Sequence, residues 1–374
     1  MKKHLSAIGR IPFKAGLFSV AFIFSGYSFA QSTFQQVNNI IQAKCVSCHN
    51  SSTFSGGMDL SGNESSVYAN LVGKTPNNAK AVQFGFKRIE AGNPHRSFLL
   101  RKINNGLDAD NGIGSGEGSA MPLSPAQPLS NYEIELIRQW VLGGAPQTGN
   151  VADTSLIYTY YTVGGVNSVP VALAPPTSNG FQVHLGKIFL APGQETEVFI
   201  KYNPKLTSAL EINRIELAQS PESHHFVIYK YNSPIVAANF PEGYRDTGMT
   251  SHGSADIITA FSPQTTDHVL PTGNAYFVAQ NSVWDLNYHL VNYDPDSVLA
   301  AEVYFNVYTQ PQGTAQKYMF SKFFPELGIV IPPNTTDTTV FNVIAVDSNE
   351  TNKWDIWILY THTHRFGVDY DVWQ

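Results

Sequence analysis

The chain has 374 residues with 23 basic and 29 acidic side chains, a formal net charge of −6, which makes a polyanion such as nucleic acid a poor partner. Two cysteines are too few for a disulfide-built scaffold, and the length suggests two or three domains, each burying its own core. At the N-terminus, Lys2, Lys3, Arg10 and Lys14 precede an apolar run from Ala15 to Phe24, and Ser28-Phe29-Ala30 offers small residues at a cleavage position. Residues 1–30 therefore read as a secretory signal. Its removal takes away four basic and no acidic residues, leaving 344 residues with 19 basic and 29 acidic side chains. The apolar run is too short to span a bilayer, and no later segment reaches about 18 uninterrupted apolar residues, so no transmembrane segment is expected after cleavage.

Residues 31–148 read as helical. Thr33 with Gln36 fits a capping box, and Val37, Ile40 and Ile41 form one apolar stripe leading to Cys45. Cys45-Val46-Ser47-Cys48-His49 is C-x-x-C-H, the attachment pattern of a covalent c-type haem, in which two thiols bond the porphyrin and the imidazole ligates iron. A disulfide or half a zinc site is the alternative, but zinc needs four ligands and these are the only cysteines. Haem is attached to such motifs outside the bacterial cytoplasm, so motif and signal together point to a Gram-negative periplasm, or to secretion.

A second box, Ser130 with Glu133, opens a helix lined by Ile134, Ile137 and Val141, with Leu136 and Trp140 on the neighbouring face, and Gly143-Gly144 stops it. The region resembles a small class I cytochrome c, whose last helix carries an aromatic residue packed across the first. That resemblance places the sixth iron ligand on a loop before the last helix, where Met121 follows the Gly- and Asn-rich stretch 104–119. Met58 is expected to pack at the haem edge, and His95 is a weaker alternative ligand. Asp108-Ala109-Asp110 with Gly112 has part of a calcium-loop pattern, but the remaining positions fail and a solvated turn is expected.

After Gly149 the helical periodicity ends. Residues 149–178 read as a linker and lead-in. Short runs rich in Val, Ile, Tyr, Phe and Thr then alternate with Pro, Gly and Asn: 197–202, 226–231, 276–279, 299–308, 339–346 and 354–364. The fold class expected is multidomain, an all-α cytochrome c domain followed by an all-β part with antiparallel strands.

Five histidines in that part sit in metal-site patterns. His362 and His364 are i and i+2 on a predicted strand, so both rings project from one face and can share an ion, although a solvated pair is the bland alternative. His224 and His225 are adjacent, so for both to grip one metal the strand must be bulged or a ring must bind through Nδ1. His289, in a strand-like run, would by itself more often be an ordinary core or surface residue.

In this order, the set resembles the ascorbate-dependent type II copper monooxygenases, the family of peptidylglycine α-hydroxylating monooxygenase and dopamine β-monooxygenase. The motifs S-H-H-F-V-I-Y, L-N-Y-H-L-V-N-Y, I-V-I-P-P-N and T-H-T-H-R-F-G carry the likeness over about residues 155–374. The resemblance implies tandem jelly-roll-type β-sandwiches, the first at 179–312 and the second at 313–374. It implies two coppers: one held by His224, His225 and His289, and an O2-activating one held by His362, His364 and a downstream methionine. No methionine follows His364, the five being Met1, Met58, Met121, Met249 and Met319, so the third ligand is missing and the second sandwich is expected to be truncated, with this chain alone inactive. Tyr360 stands where the peptide-amidating enzyme has a carboxylate-binding arginine, which makes a glycine-extended peptide a poor substrate. His184, His252 and His268 are left to surface or packing roles, the latter two with a chance of lying near the first copper.

The function implied is hydroxylation of a substrate C–H bond with O2, with electrons from a periplasmic donor entering through haem c; the substrate, small molecule or peptide, is not legible. The alternative is a non-catalytic haem and copper protein that transfers electrons or binds copper.

Overall fold

Ser32 rather than Thr33 caps the first helix, α1 (Thr33–Lys44): its hydroxyl accepts the Gln35 N–H at 3.2 Å and the Gln35 side chain accepts the Ser32 N–H at 2.9 Å. Both S-x-x-Q and T-x-x-Q fit the box, but Thr33 is fully buried and its hydroxyl is engaged elsewhere, accepting the Val151 N–H at 3.0 Å. The computed structural model describes residues 31–374 apart from 168, 170–171, 247–248, 263–264, 266, 322–329, 336–337, 340–354 and 360–374. His362 and His364, and residues 340–346 of the predicted strand at 339–346, lie outside the described residues; of the predicted strand at 354–364 only 355–359 are described, and they form no strand.

Helices α2 (Glu64–Leu71), α3 (Ala79–Gln83), α4 (Phe98–Ile103) and α5 (Asn131–Leu142) follow. The Ser130–Glu133 box is present as expected, and it sets α5 so that Trp140 is fully buried against Phe34 of α1, ring centroids 5.1 Å apart. The Trp140 indole N–H, which burial would otherwise orphan, donates to Pro146 O at 2.9 Å. Part of the expected linker is helical: Asp153 caps α6 (Thr154–Thr162), whose Ile157 closes the helical core. One buried aliphatic position gave too weak a periodic signal to mark it.

The rest is mostly β, in two sheets. Strands β1 (Gly165–Asn167), β2 (Gly180–Leu190), β3 (Glu195–Tyr202), β4 (Leu210–Gln219), β5 (Ser223–Tyr231), β6 (Gly243–Asp246), β7 (Ala255–Phe261), β8 (Asp267–Val269), β9 (Asn274–Val278), β10 (Trp284–Val291), β11 (Val298–Gln310) and β12 (Lys317–Met319) divide between them. One sheet runs β6-β3-β10-β5-β7; the other runs β1-β11-β4-β9-β12, with β2 on β11 and β8 on β4. The long pairings are antiparallel as expected, but β1 on β11 and β12 on β9 are parallel, three residues each. Those two short strands arrive by long connections rather than hairpins, which permits the parallel sense. Inward residues of both sheets, including Ile200, Phe226, Ile228, Leu286 and Tyr288 from one and Val183, Leu217, Val303 and Phe305 from the other, form one buried core. Among the described residues no helix is long and apolar enough to cross a membrane.

Glu211 on β4 gathers the turn after β11. Its carboxylate accepts from Gly313 N at 2.6 Å, Tyr318 Oη at 2.8 Å, Ala315 N at 2.8 Å and Gln310 Nε2 at 3.1 Å. Burial alone would raise its pKa, but these donors prevail and lower it to about 2 from 4.5. A depressed folded-state pKa gives stability that is present above the unfolded value and lost as pH falls through the folded one. Glu211→Gln is therefore expected to flatten the decline in stability between about pH 4.5 and about pH 2, measured by thermal melts across that range. A decline as steep as in the parent chain would remove Glu211 from the acid response.

Candidate metal centre

Strand alternation builds the centre. On β3, Glu195 and Glu197 share a face, and on β10 Asn287 and His289 do the same; this is the face opposite the core residues Leu286, Tyr288 and Leu290. On β5, His225 pairs with His289, but the register then shifts so that Leu290 faces Ser223. His224 is the extra residue of a β-bulge, and the bulge turns it to the side of its neighbour. His224 Nδ1 and His289 Nδ1 face each other 3.1 Å apart, and the ring centroids of His224 and His225 are 4.7 and 5.0 Å from that of His289. One ring nitrogen from each of the three lies within 4.8 Å of the others.

The surrounding groups select the tautomers. Asn287 Nδ2 donates to Glu197 Oε1 at 2.9 Å, so Asn287 Oδ1 is the acceptor for His225 Nε2–H at 2.8 Å. His289 Nε2 donates to Glu195 Oε1 at 2.8 Å. With protons on Nε2, both rings present the lone pair at Nδ1, as a metal ligand whose outer nitrogen is fixed by a carboxylate or amide does. The same His225 Nε2 also lies 3.4 Å from Glu197 Oε1, and this second, longer contact, against burial and helped by the Asn287 amide, holds the Glu197 carboxyl down at about 2. His225 and His289 are 5% exposed. Metal–imidazole bonds of about 2.0–2.1 Å separate trigonal donors by about 3.5 Å, so the pair now at 3.1 Å need open by only a few tenths of an ångström.

In the helical part, Cys45 ends α1 and both cysteines are free thiols. Burial pushes the Cys45 thiol up to about 11, which keeps it protonated at neutral pH. His49 Nδ1 is 2.8 Å from Ser55 O; a carbonyl only accepts, so the proton is on Nδ1 and the lone pair on Nε2. Cys45, Val46, Met58 and Met121 all pack against one buried core that includes Phe34, Ile41 and Trp140. Met121 N donates to Lys102 O at 2.7 Å, which anchors its loop to the end of α4.

The leftover histidines have definite places. His252 Nε2 is 3.1 Å from Tyr229 Oη, and His268 stacks on Phe261 with centroids 4.3 Å apart. His95 and His184 meet at Asp110, which is no mere solvated turn residue, since both imidazoles contact its Oδ2. Sequence reasoning missed the supporting set Glu195, Glu197 and Asn287; the i, i+2 spacings of Glu195 with Glu197 and of Asn287 with His289 were the signals available. No protein-family model and no curated protein matches the chain.

Proposed function

We propose that the chain is a periplasmic copper-dependent monooxygenase that hydroxylates a substrate C–H bond with O2, with electrons entering through a haem c held by residues 31–148. The observation that carries this reading is the bulge that brings His224 to His225 and His289, with two rings set to offer Nδ1. An all-imidazole set suits copper. In this reading the two sheets are the first of the tandem jelly-roll sandwiches, and His362 and His364 hold the second copper.

The helical part fits haem by its donors. Cys45 and Cys48 are unbridged, His49 is in the tautomer an axial ligand needs, and the Ser55 carbonyl fixes its ring. Met121 lies on the same core as Cys45 and would hold the iron opposite His49, with Met58 as an apolar neighbour. When bound, haem and copper would supply the one-electron and O2 chemistry; the chain's residues orient the ligands.

Purified from cells able to attach haem, the chain is expected to hold one covalent haem and one tightly bound copper with a type II signal, and to show no substrate-dependent O2 uptake by itself, since no methionine follows His364 to complete the second copper. A chain that carries haem but gives no type II copper signal would overturn the reading, and two tightly bound coppers with substrate-dependent O2 uptake would overturn the role given to the absent methionine. Met121→Ala is expected to abolish the sulfur-to-iron charge-transfer band and lower the reduction potential, because a thioether ligand favours Fe(II). An unchanged band and potential would exclude Met121 as the ligand.

A further inference from the structure

We propose that His95, Asp110 and His184 form a separate site for a divalent transition cation, zinc being the best fit, that clips the helical part to the two-sheet part. The three come from different places. His95 lies in the short helical turn Pro94–Arg96, Asp110 in the turn Ala109–Asn111, and His184 on β2. Asp110 Oδ2 is 2.7 Å from His184 Nδ1 and 3.1 Å from His95 Nε2, and the two imidazole centroids are 5.0 Å apart. One donor atom from each lies within 4.8 Å of the others.

Two features favour a cation over a plain hydrogen-bonded triad. His95 Nε2 is buried and 3.1 Å from Asp110 Oδ2, but it lies off the line of a good hydrogen bond, so that buried nitrogen is poorly satisfied by its only close polar neighbour among the described residues. A cation beside the carboxylate gives that nitrogen a ligand bond. His184 is also held rigidly, 5% exposed and stacked on Tyr304 of β11 with centroids 4.0 Å apart and planes 12° from parallel. A fixed ring on a strand is a better ligand platform than a mobile one.

The donor set selects the ion. Two imidazoles and a carboxylate, with no sulfur, suit Zn(II) with an open position, and offer Cu(I) no soft ligand. Bonds of about 2.0–2.2 Å set tetrahedral donors about 3.3–3.6 Å apart, so the Asp110–His95 contact at 3.1 Å need open by only a few tenths of an ångström and the Asp110–His184 contact at 2.7 Å by about 0.6 Å or more. Because Asp110 and His184 are far apart in sequence, the unfolded chain has no such site, and binding is linked to folding.

The test uses the full chain, freed of loosely held metal by a chelator and titrated with zinc alone, followed by stoichiometry and melting temperature. His95→Ala and Asp110→Asn, compared with the parent, are each expected to lower the zinc count by one equivalent. At a hundredfold excess of zinc over Kd, the parent is expected to melt roughly 5 °C or more higher than without zinc, and the variants to lose that increment. His95→Ala removes a partly exposed side chain and should leave the zinc-free melt in place, which keeps the result readable if Asp110→Asn misfolds. His289→Ala is expected to leave this equivalent intact, which separates it from the three-histidine centre. Equal zinc counts and equal zinc-induced shifts in parent and His95→Ala would show a hydrogen-bonded triad only and overturn the proposal.

Discussion

Glu135→Ala is expected to destabilise the protein by about 3–5 kcal/mol, the cost of leaving a buried charge without its partner. Glu135 and Arg138 sit one turn apart on α5 and are 0% and 2% exposed. The carboxylate accepts from Arg138 Nε at 3.1 Å, from Gln139 Nε2 at 2.8 Å and from the Tyr161 hydroxyl at 3.2 Å. Arg138 and Gln139 in turn donate to Lys187 O on β2, so the network crosses from helices to sheet. Removing the carboxylate strands the guanidinium in the interior and leaves Tyr161 and Gln139 without their shared acceptor. Replacing both charges, as in Glu135→Leu with Arg138→Met, is expected to recover most of the loss, since well-packed apolar pairs often match or exceed buried ion pairs. Denaturant unfolding of the two variants decides it. A single variant within about 1 kcal/mol of the parent would mean that water or another group neutralises Arg138.

His289→Ala is expected to weaken copper at the three-histidine centre by more than roughly 100-fold, exceeding the 10–100-fold loss typical of removing only a supporting partner. His289 is the central element, opposite His225 in the ladder and 3.1 Å from His224 through Nδ1. Asn287→Ala supplies the graded comparison. It leaves the three rings in place but takes from His225 Nε2 its shorter acceptor, leaving only the 3.4 Å contact with Glu197, and the expected loss falls within about 10–100-fold. Competition titrations of Cu(II) against a chelator of known affinity read both. Equal affinity in parent and His289→Ala would remove this centre as a copper site.

What was legible from the sequence follows physical range. The Ser130–Glu133 box and the stripe Ile134, Ile137, Val141 are local, and α5 lies where they place it. The start of α1 was off by one because Ser32 and Thr33 both have a glutamine three residues on, and the choice is made by a contact with Val151, far along the chain. The need for a bulge at His224-His225 was readable, because adjacency on a strand forbids a shared face without one. Where the register slips was not, since that depends on pairing with β10. The meeting of His95, Asp110 and His184 was illegible: no spacing rule relates two helical turns to a strand.

Inheritance of the three-histidine centre depends on counting as well as on residue type. Its bulge is one backbone residue beyond the regular ladder, so losing a single residue beside His224 restores strict alternation and sends one of the two neighbouring imidazoles toward the core side, where Phe226 points. A descendant with that deletion keeps its remaining histidines and its sheet, yet has a polar ring in an apolar interior and two donors where there were three. A lineage can therefore lose the centre through one lost codon while its composition stays almost unchanged, and can regain it by one insertion.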